Sequence, residues 1–129
     1  MILLDTHAWV WWISEPDKLS PRARAAIDYA RAIGVSPISA WEIATKAARG
    51  RLQLDRDPAV WVVQALARPR VELAALTAEI AVAAGRLGEG GFHGDLADRL
   101  IAATAIAHGA ELVTKDERIR AYPGVRTLW

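Results

Sequence analysis

Four acidic residues, Asp5, Glu42, Asp98 and Asp116, stand where apolar runs end or where helices are due to begin. Carboxylates brought together repel one another and hold protons unless a cation lies among them. The chain has no cysteine, which excludes thiolate chemistry and removes the usual zinc ligand. No pair of histidines stands at a clear ligand spacing. An all-oxygen donor set suits a hard cation, Mg²⁺ or Mn²⁺. Together these features suggest hydrolysis of a phosphodiester, with an activated water as nucleophile and positive charge on the leaving oxygen.

The elements that must position these acids follow from the apolar pattern. Residues 1–5 form a short apolar run ending in an acid, which reads as a buried strand. Residues 6–13 read as a helix, and Glu15-Pro16-Asp17 as a turn. Ser20-Pro21 supplies an N-cap and a proline at the first helical position, so a helix is expected over 21–32. A brief strand is expected at 34–38, then a helix from Ser39 to Gly50 and another over 58–67. A strand at 71–73 and a helix at 78–87, capped by Thr77, come next. Glycines 88, 90, 91 and 94 mark a loop. A helix runs from about Asp95 to Gly109, a strand covers 111–114, a short helical turn follows Asp116, and a last strand lies at 125–129. Strands alternating with helices imply βα units, a central parallel sheet and a three-layer α/β/α sandwich. With 129 residues, one domain spanning 1–129 is expected. In such sheets ligands bind at the carboxyl ends of the strands, and all four acids map to that end.

Each acid also fits a plainer role. Asp5 and Asp116 could cap the helices that follow them. Ser39-Ala-Trp-Glu42 matches the capping-box pattern, and Glu42 with Lys46 forms a favourable i,i+4 pair. Asp95 and Asp98 open a helix, where the macrodipole favours acids. Capping explains each acid alone and only part of their common placement.

Four local strings go further. Met1-Ile-Leu-Leu-Asp-Thr-His7 resembles the opening of PIN domains, where the first metal-binding aspartate ends the first strand. Ser39-Ala-Trp-Glu-Ile-Ala-Thr-Lys46, followed by Gly50-Arg-Leu52, is similar to the second acidic motif of VapC-type toxins in that family. His93-Gly-Asp-Leu-Ala-Asp-Arg-Leu-Ile101 resembles the third, and Leu112-Val-Thr-Lys-Asp116 the fourth. They occur in the family's order, and the resemblance runs from Met1 to Trp129. It implies a PIN-like fold and a metal-dependent endoribonuclease, the toxin of a toxin–antitoxin pair. Its substrate would be RNA and its partner a cognate antitoxin. It also implies that Asp5, Glu42, Asp98 and Asp116 hold one or two Mg²⁺ or Mn²⁺ ions. Asp95 matches a further acid of this subgroup, as a supporting residue or a helix cap. Thr6 and Thr114 would orient carboxylates or waters, and Arg99 would pair with an acid. One departure stands out: Leu96 and Ala97 occupy positions where the subgroup usually has proline and an aromatic, which bears on local packing.

Other residues invite function. Lys46, Arg49 and Arg51 could grip an RNA backbone or form a solvated helix face. His7 and His93 are expected to be structural or solvated, with His93 in reach of RNA, and His108 sits near a helix C-terminus. Of six tryptophans, Trp9 and Trp12 share a helical face with Ile13. Trp11 lies off it, which points to a homodimer contact or a groove for an inhibitory partner. The net charge of +1 makes no case for nucleic acid by itself. No apolar run approaches the roughly 20 residues of a membrane span, and the N-terminus has no signal-peptide pattern, so a cytoplasmic protein is expected. Phosphatases of the haloacid dehalogenase type need an acid two residues after the first, where this chain has His7. In receiver domains a phosphorylatable aspartate follows a middle strand and a lysine comes late, whereas Lys115 directly precedes Asp116. The main alternative is a PIN fold serving as a non-catalytic RNA-binding or protein-interaction module.

Overall fold

The computed structural model describes all 129 residues. Its element order is β1 (Ile2–Leu4), α1 (Thr6–Ser14), α2 (Pro21–Tyr29), β2 (Ile33–Val35), α3 (Pro37–Ala48), α4 (Pro58–Leu66), β3 (Val71–Leu73), α5 (Ala78–Arg86), α6 (Leu96–His108), β4 (Glu111–Val113), α7 (Glu117–Arg120) and β5 (Thr127–Leu128). Short 3-10 turns at Pro16–Lys18 and Leu87–Gly90 complete it. The five strands form one sheet in the order β3-β2-β1-β4-β5, and every neighbouring pair is parallel. Helices cover both faces, as the alternation of strand and helix demands.

The strands show how alternation divides the core. Leu4, Val35 and Val113 point into one apolar cluster, built with Trp9 and Val10 of α1, Ile27 of α2, Ile43 of α3 and Trp61 of α4. Leu3 and Leu112, one residue away in each strand, point to the other face, against Ile101 and Ala105 of α6 and Ile119 of α7. Successive side chains of a strand face opposite ways, so three residues per strand suffice to serve both layers. Helix α5 lies outside, its Ile80 and Ala84 meeting Leu100 and Ala103 of α6. Trp9 and Trp61 meet edge to face at 5.2 Å, a geometry worth about 0.5–1.5 kcal/mol beyond the area buried.

Several expected boundaries move. The second strand ends at Val35, and α3 begins at Pro37 with Ser36 as its cap, accepting a hydrogen bond from the Ile38 amide at 3.2 Å. Ser36-Pro37 repeats the Ser20-Pro21 device, in which proline presets the first helical turn. Ser39 is therefore inside the helix and fully buried, so the expected capping box does not form. Glu42 sits in the second turn of α3, not the first. The expected helix at 21–32 stops at Tyr29, and the final strand narrows to Thr127–Leu128.

Candidate active site

Strand register sets the site. Leu4 lies opposite both Val35 and Val113, so β2, β1 and β4 end at one level. Asp5 follows β1 directly, and its amide donates to the Val113 carbonyl at 3.1 Å. Helix α3 leaves β2 from this edge, and α6 runs back to feed β4, so its N-terminus also lies here. Asp116 follows β4 and begins α7. All four acids predicted from sequence are thus carried on this edge of the sheet.

Asp5 is 4% exposed. Its Oδ1 accepts the Ala8 amide at 2.8 Å, capping α1, and its Oδ2 accepts the Thr114 hydroxyl. Burial pushes the Asp5 carboxyl above the usual carboxylate range. The bonds from Thr114 and Ala8 and the charge of His7 oppose the shift, and the charge of Asp98 adds to it. Asp98 is also raised, first by burial. Its hydrogen bond with His93 resists this, while Asp95 and Asp116 repel its charge. Asp116 goes the other way. Burial raises it, but the amides of Arg118 and Ile119 and the Arg118 guanidinium outweigh that and hold it low. Two acids raised chiefly by burial, on the same edge as a third that is held low, would be favoured in their ionised forms by a cation among them.

Thr114 ties this edge together. Its hydroxyl donates to Asp5 and accepts the Asp116 amide at 3.1 Å. Thr6 serves the other side: Oγ1 hydrogen-bonds Glu42 Oε1 and lies 2.9 Å from Ser39 Oγ. Glu42 Oε2 also faces Lys46 Nζ at 3.4 Å. Asp95 caps α6 by accepting the Asp98 amide at 2.9 Å. Leu96 at the start of α6 is exposed and Ala97 is buried, so the departure from the usual motif leaves the helix start intact.

Two residues do more than the sequence suggests. His93 is neither solvated nor free: its Nε2 lies 2.6 Å from Asp98 Oδ2, and its ring stacks on Phe92. Arg99 pairs with no acid, contrary to expectation. Its guanidinium donates to the carbonyls of His93 at 2.8 Å and Phe92 at 3.4 Å, fastening the loop that presents His93. Arg118 is a neighbour of the acids that sequence reasoning misses. It reaches Asp116 at 3.4 Å and Asp98 at 3.8 Å from an exposed position. Its only signal is its place two residues after a capping aspartate. Trp11 and His7 line a depression with Asp5, Lys115 and Asp116.

The donor set fits a hard divalent cation: it is all carboxylate oxygen, with hydroxyl, imidazole and guanidinium groups holding the acids apart. As the side chains stand, no three acids or histidines are close enough together to enclose an ion. Oxygens of Asp5, Glu42 and Asp98 are taken up by Thr114, Thr6 and His93.

The family model of the PIN domain matches residues 2–125. The chain belongs to the PIN-domain family. As a PIN domain it is 43% identical over 130 residues to Ribonuclease VapC22 of Mycobacterium tuberculosis (strain ATCC 25618 / H37Rv), covering 99% of this chain and 98% of that protein. Among solved structures, this PIN domain resembles VapBC2 from Rickettsia felis bound to a DNA fragment from their promoter. The TM-score is 0.72 at 21% identity, covering 99% of this chain and 98% of that one. A toxin–antitoxin complex from Klebsiella pneumoniae matches with a TM-score of 0.67 at 22% identity, covering 97% and 95%. At these identities the structural likeness speaks to the fold of the PIN domain, the parallel sheet between helical layers.

Proposed function

We propose that this chain is a Mg²⁺- or Mn²⁺-dependent endoribonuclease, the toxin of a VapBC-type toxin–antitoxin pair. The identity to Ribonuclease VapC22 along the whole chain carries the reading, and the four acids on one sheet edge agree with it. Asp5, Asp98, Asp116 and Glu42 are the residues that would hold the cation. Bound there, a divalent cation supplies positive charge to the scissile phosphate and acidifies the attacking water.

The chain's own groups prepare that site. Thr114 and the Ala8 amide keep the buried Asp5 carboxylate aimed at the edge. His93 holds Asp98, and Thr6 holds Glu42. Arg118, long and exposed, is placed to leave the acids and meet a phosphate oxygen. Lys46, Arg49 and Arg51 line a neighbouring depression with Glu42 and contact the RNA backbone. The partner of this toxin is an antitoxin protein, in keeping with the toxin–antitoxin complex it resembles in fold. A homodimer is the working assembly, supported by Val60 and Val63, which α4 leaves exposed. No helix is long and apolar enough to cross a membrane.

Incubating the partner-free protein with total RNA and Mn²⁺, beside an Asp5→Asn/Asp98→Asn variant, tests the reading. Metal-dependent cleavage that disappears in the variant is expected. Absence of cleavage, together with no metal binding by calorimetry, would overturn it and leave a PIN-fold binding module.

A further inference from the structure

His93 reaches Asp98 from a loop that has little of its own to hold it. Gly88, Gly90, Gly91 and Gly94 leave residues 88–94 with few side chains to pack. Arg99 fastens the backbone at the carbonyls of Phe92 and His93, but bonds to carbonyls do not set the plane of a ring. The last torsion of a histidine is broad when nothing packs on the imidazole. Yet Nε2 must face Asp98 Oδ2, 2.6 Å away, and a hydrogen bond weakens steeply as its donor turns off line.

A row of aromatic contacts supplies what the loop lacks. His93 stacks on Phe92, with centroids 4.5 Å apart and planes 21° from parallel. Phe92 is buried, and Tyr122 meets it edge to face at 5.1 Å and 80°. Tyr122 comes from the segment between α7 and β5, and two glycines wall its place. A Cβ on Gly90 would stand 3.1 Å from the Tyr122 hydroxyl oxygen. One on Gly124 would stand 2.9 Å from Cζ and 3.0 Å from the hydroxyl oxygen, so a methyl there must move the ring.

We propose that Tyr122 is a positioning residue for Asp98: through Phe92 and then His93, it fixes the direction in which the Asp98 carboxylate faces the site. The inference rests on the ribonuclease reading and adds to it a residue outside the acid cluster. Rings in a close-packed interior cannot turn separately. Without the Tyr122 ring, Phe92 is free to tilt, His93 follows, and the carboxylate loses its fixed partner. A ligand whose supporting group is loosened holds a metal less well. The loss is bounded by the worth of one edge-to-face contact, about 2- to 12-fold, so it is smaller than the loss from removing His93 itself.

The test uses the full chain. Mn²⁺ affinity is read by calorimetry, and the His93 ring by nitrogen NMR of the metal-free protein, its signals assigned by their absence in His93→Gln. Tyr122→Ala is expected to shift those signals and to weaken Mn²⁺ binding about 2- to 12-fold. Tyr122→Phe, which keeps the ring, is expected to leave both as in the parent. Gly124 is exposed and has no positive φ, so Gly124→Ala acts through its contact with Tyr122. It is expected to reproduce the Tyr122→Ala result with the tyrosine still present, and it decides the matter if Tyr122→Ala does not fold. In a His93→Ala background, removing Tyr122 is expected to change Mn²⁺ affinity no further. Unshifted His93 signals, an unchanged affinity, or an equal loss of affinity with and without His93 would overturn the positioning role and leave the ribonuclease reading in place. A parent protein that binds no Mn²⁺ and cuts no RNA would overturn the ribonuclease reading, and this role with it.

Discussion

Thr114→Val is the most informative single change. Valine keeps the shape of threonine and removes only the hydroxyl. That hydroxyl is fully buried, donates to Asp5 and accepts the Asp116 amide. Losing a hydrogen bond to a charged group costs about 1.5–3 kcal/mol, and a neutral one about 0.5–1.5 kcal/mol. The added methyl returns about 0.8 kcal/mol of burial. The net loss is about 2 kcal/mol, which in a chain of this length lowers Tm by about 6–10 °C. The Thr114 bond also stabilises ionised Asp5, so its removal raises the Asp5 pKa further, and activity needing the carboxylate fails at a higher pH than in the parent. Metal affinity falls about 10- to 100-fold, the usual effect of removing a group that orients a ligand. Calorimetric melts and metal titrations read all three. The decisive control is Asp5→Asn/Thr114→Val. With the charge gone, the valine should cost about 1 kcal/mol less than it does in the parent. If it costs the same in both backgrounds, the bond to Asp5 is not the cause and the reasoning fails.

Other outcomes follow from the same geometry. Asp5 and Asp98 have folded pKa values raised above the ordinary value of 3.8. The stability tied to their protonated forms is therefore complete below that value and lost as pH rises through the folded pKa. Metal-free protein should lose stability over that window, and Mn²⁺ should raise Tm more at neutral pH than near the ordinary value; a metal-induced rise independent of pH would contradict this. His93→Ala should weaken metal binding about 10- to 100-fold by freeing Asp98, with His93→Gln in between, as calorimetry can determine. Lys46→Ala/Arg51→Ala should lower RNA affinity and flatten its salt dependence, by about 0.7 in the log–log slope for each phosphate no longer neutralised. An unchanged slope would place the backbone elsewhere.

The positions of the acids are readable in the sequence because they follow from chain geometry alone. An acid directly after a short apolar strand must emerge at the strand's carboxyl end, and parallel βα units send every such end the same way. Asp5 is the clearest case, while Asp116 comes after Thr114 and Lys115 beyond the end of β4. Glu42 is readable in place but not in detail, because the Ser36-Pro37 start competes with the capping-box pattern three residues later, and a proline fixes the first turn more firmly. The partnership of His93 with Asp98 is not readable. It depends on a glycine-rich loop whose course is set by Arg99 bonding to loop carbonyls, and no local pattern announces a side chain bound to bare backbone. Arg118 is hidden for a related reason: its reach toward Asp98 depends on α6 and α7 meeting at one edge, which only the assembled sheet decides. The helical pattern sets Trp11 apart from Trp9, Trp12 and Ile13, yet it packs partly against the same cluster as they do, because the assembled fold brings Trp129 and Lys115 to it.

The register of Leu4 against both Val35 and Val113 also has a consequence for timing. Asp5 leaves the ribosome early and Asp116 late, and neither neighbour of β1 is in place until its own segment has been made. A chain in mid-synthesis therefore holds its first acid with no opposing Thr114, no Asp98 and no closed edge. On the proposed site, such a chain lacks part of its acid set and would neither hold the cation nor cut RNA, including the message from which it is being read. On that reading, cleavage begins only once the segment bearing Asp116 is free to fold, and an antitoxin would need to be present by that moment and no sooner.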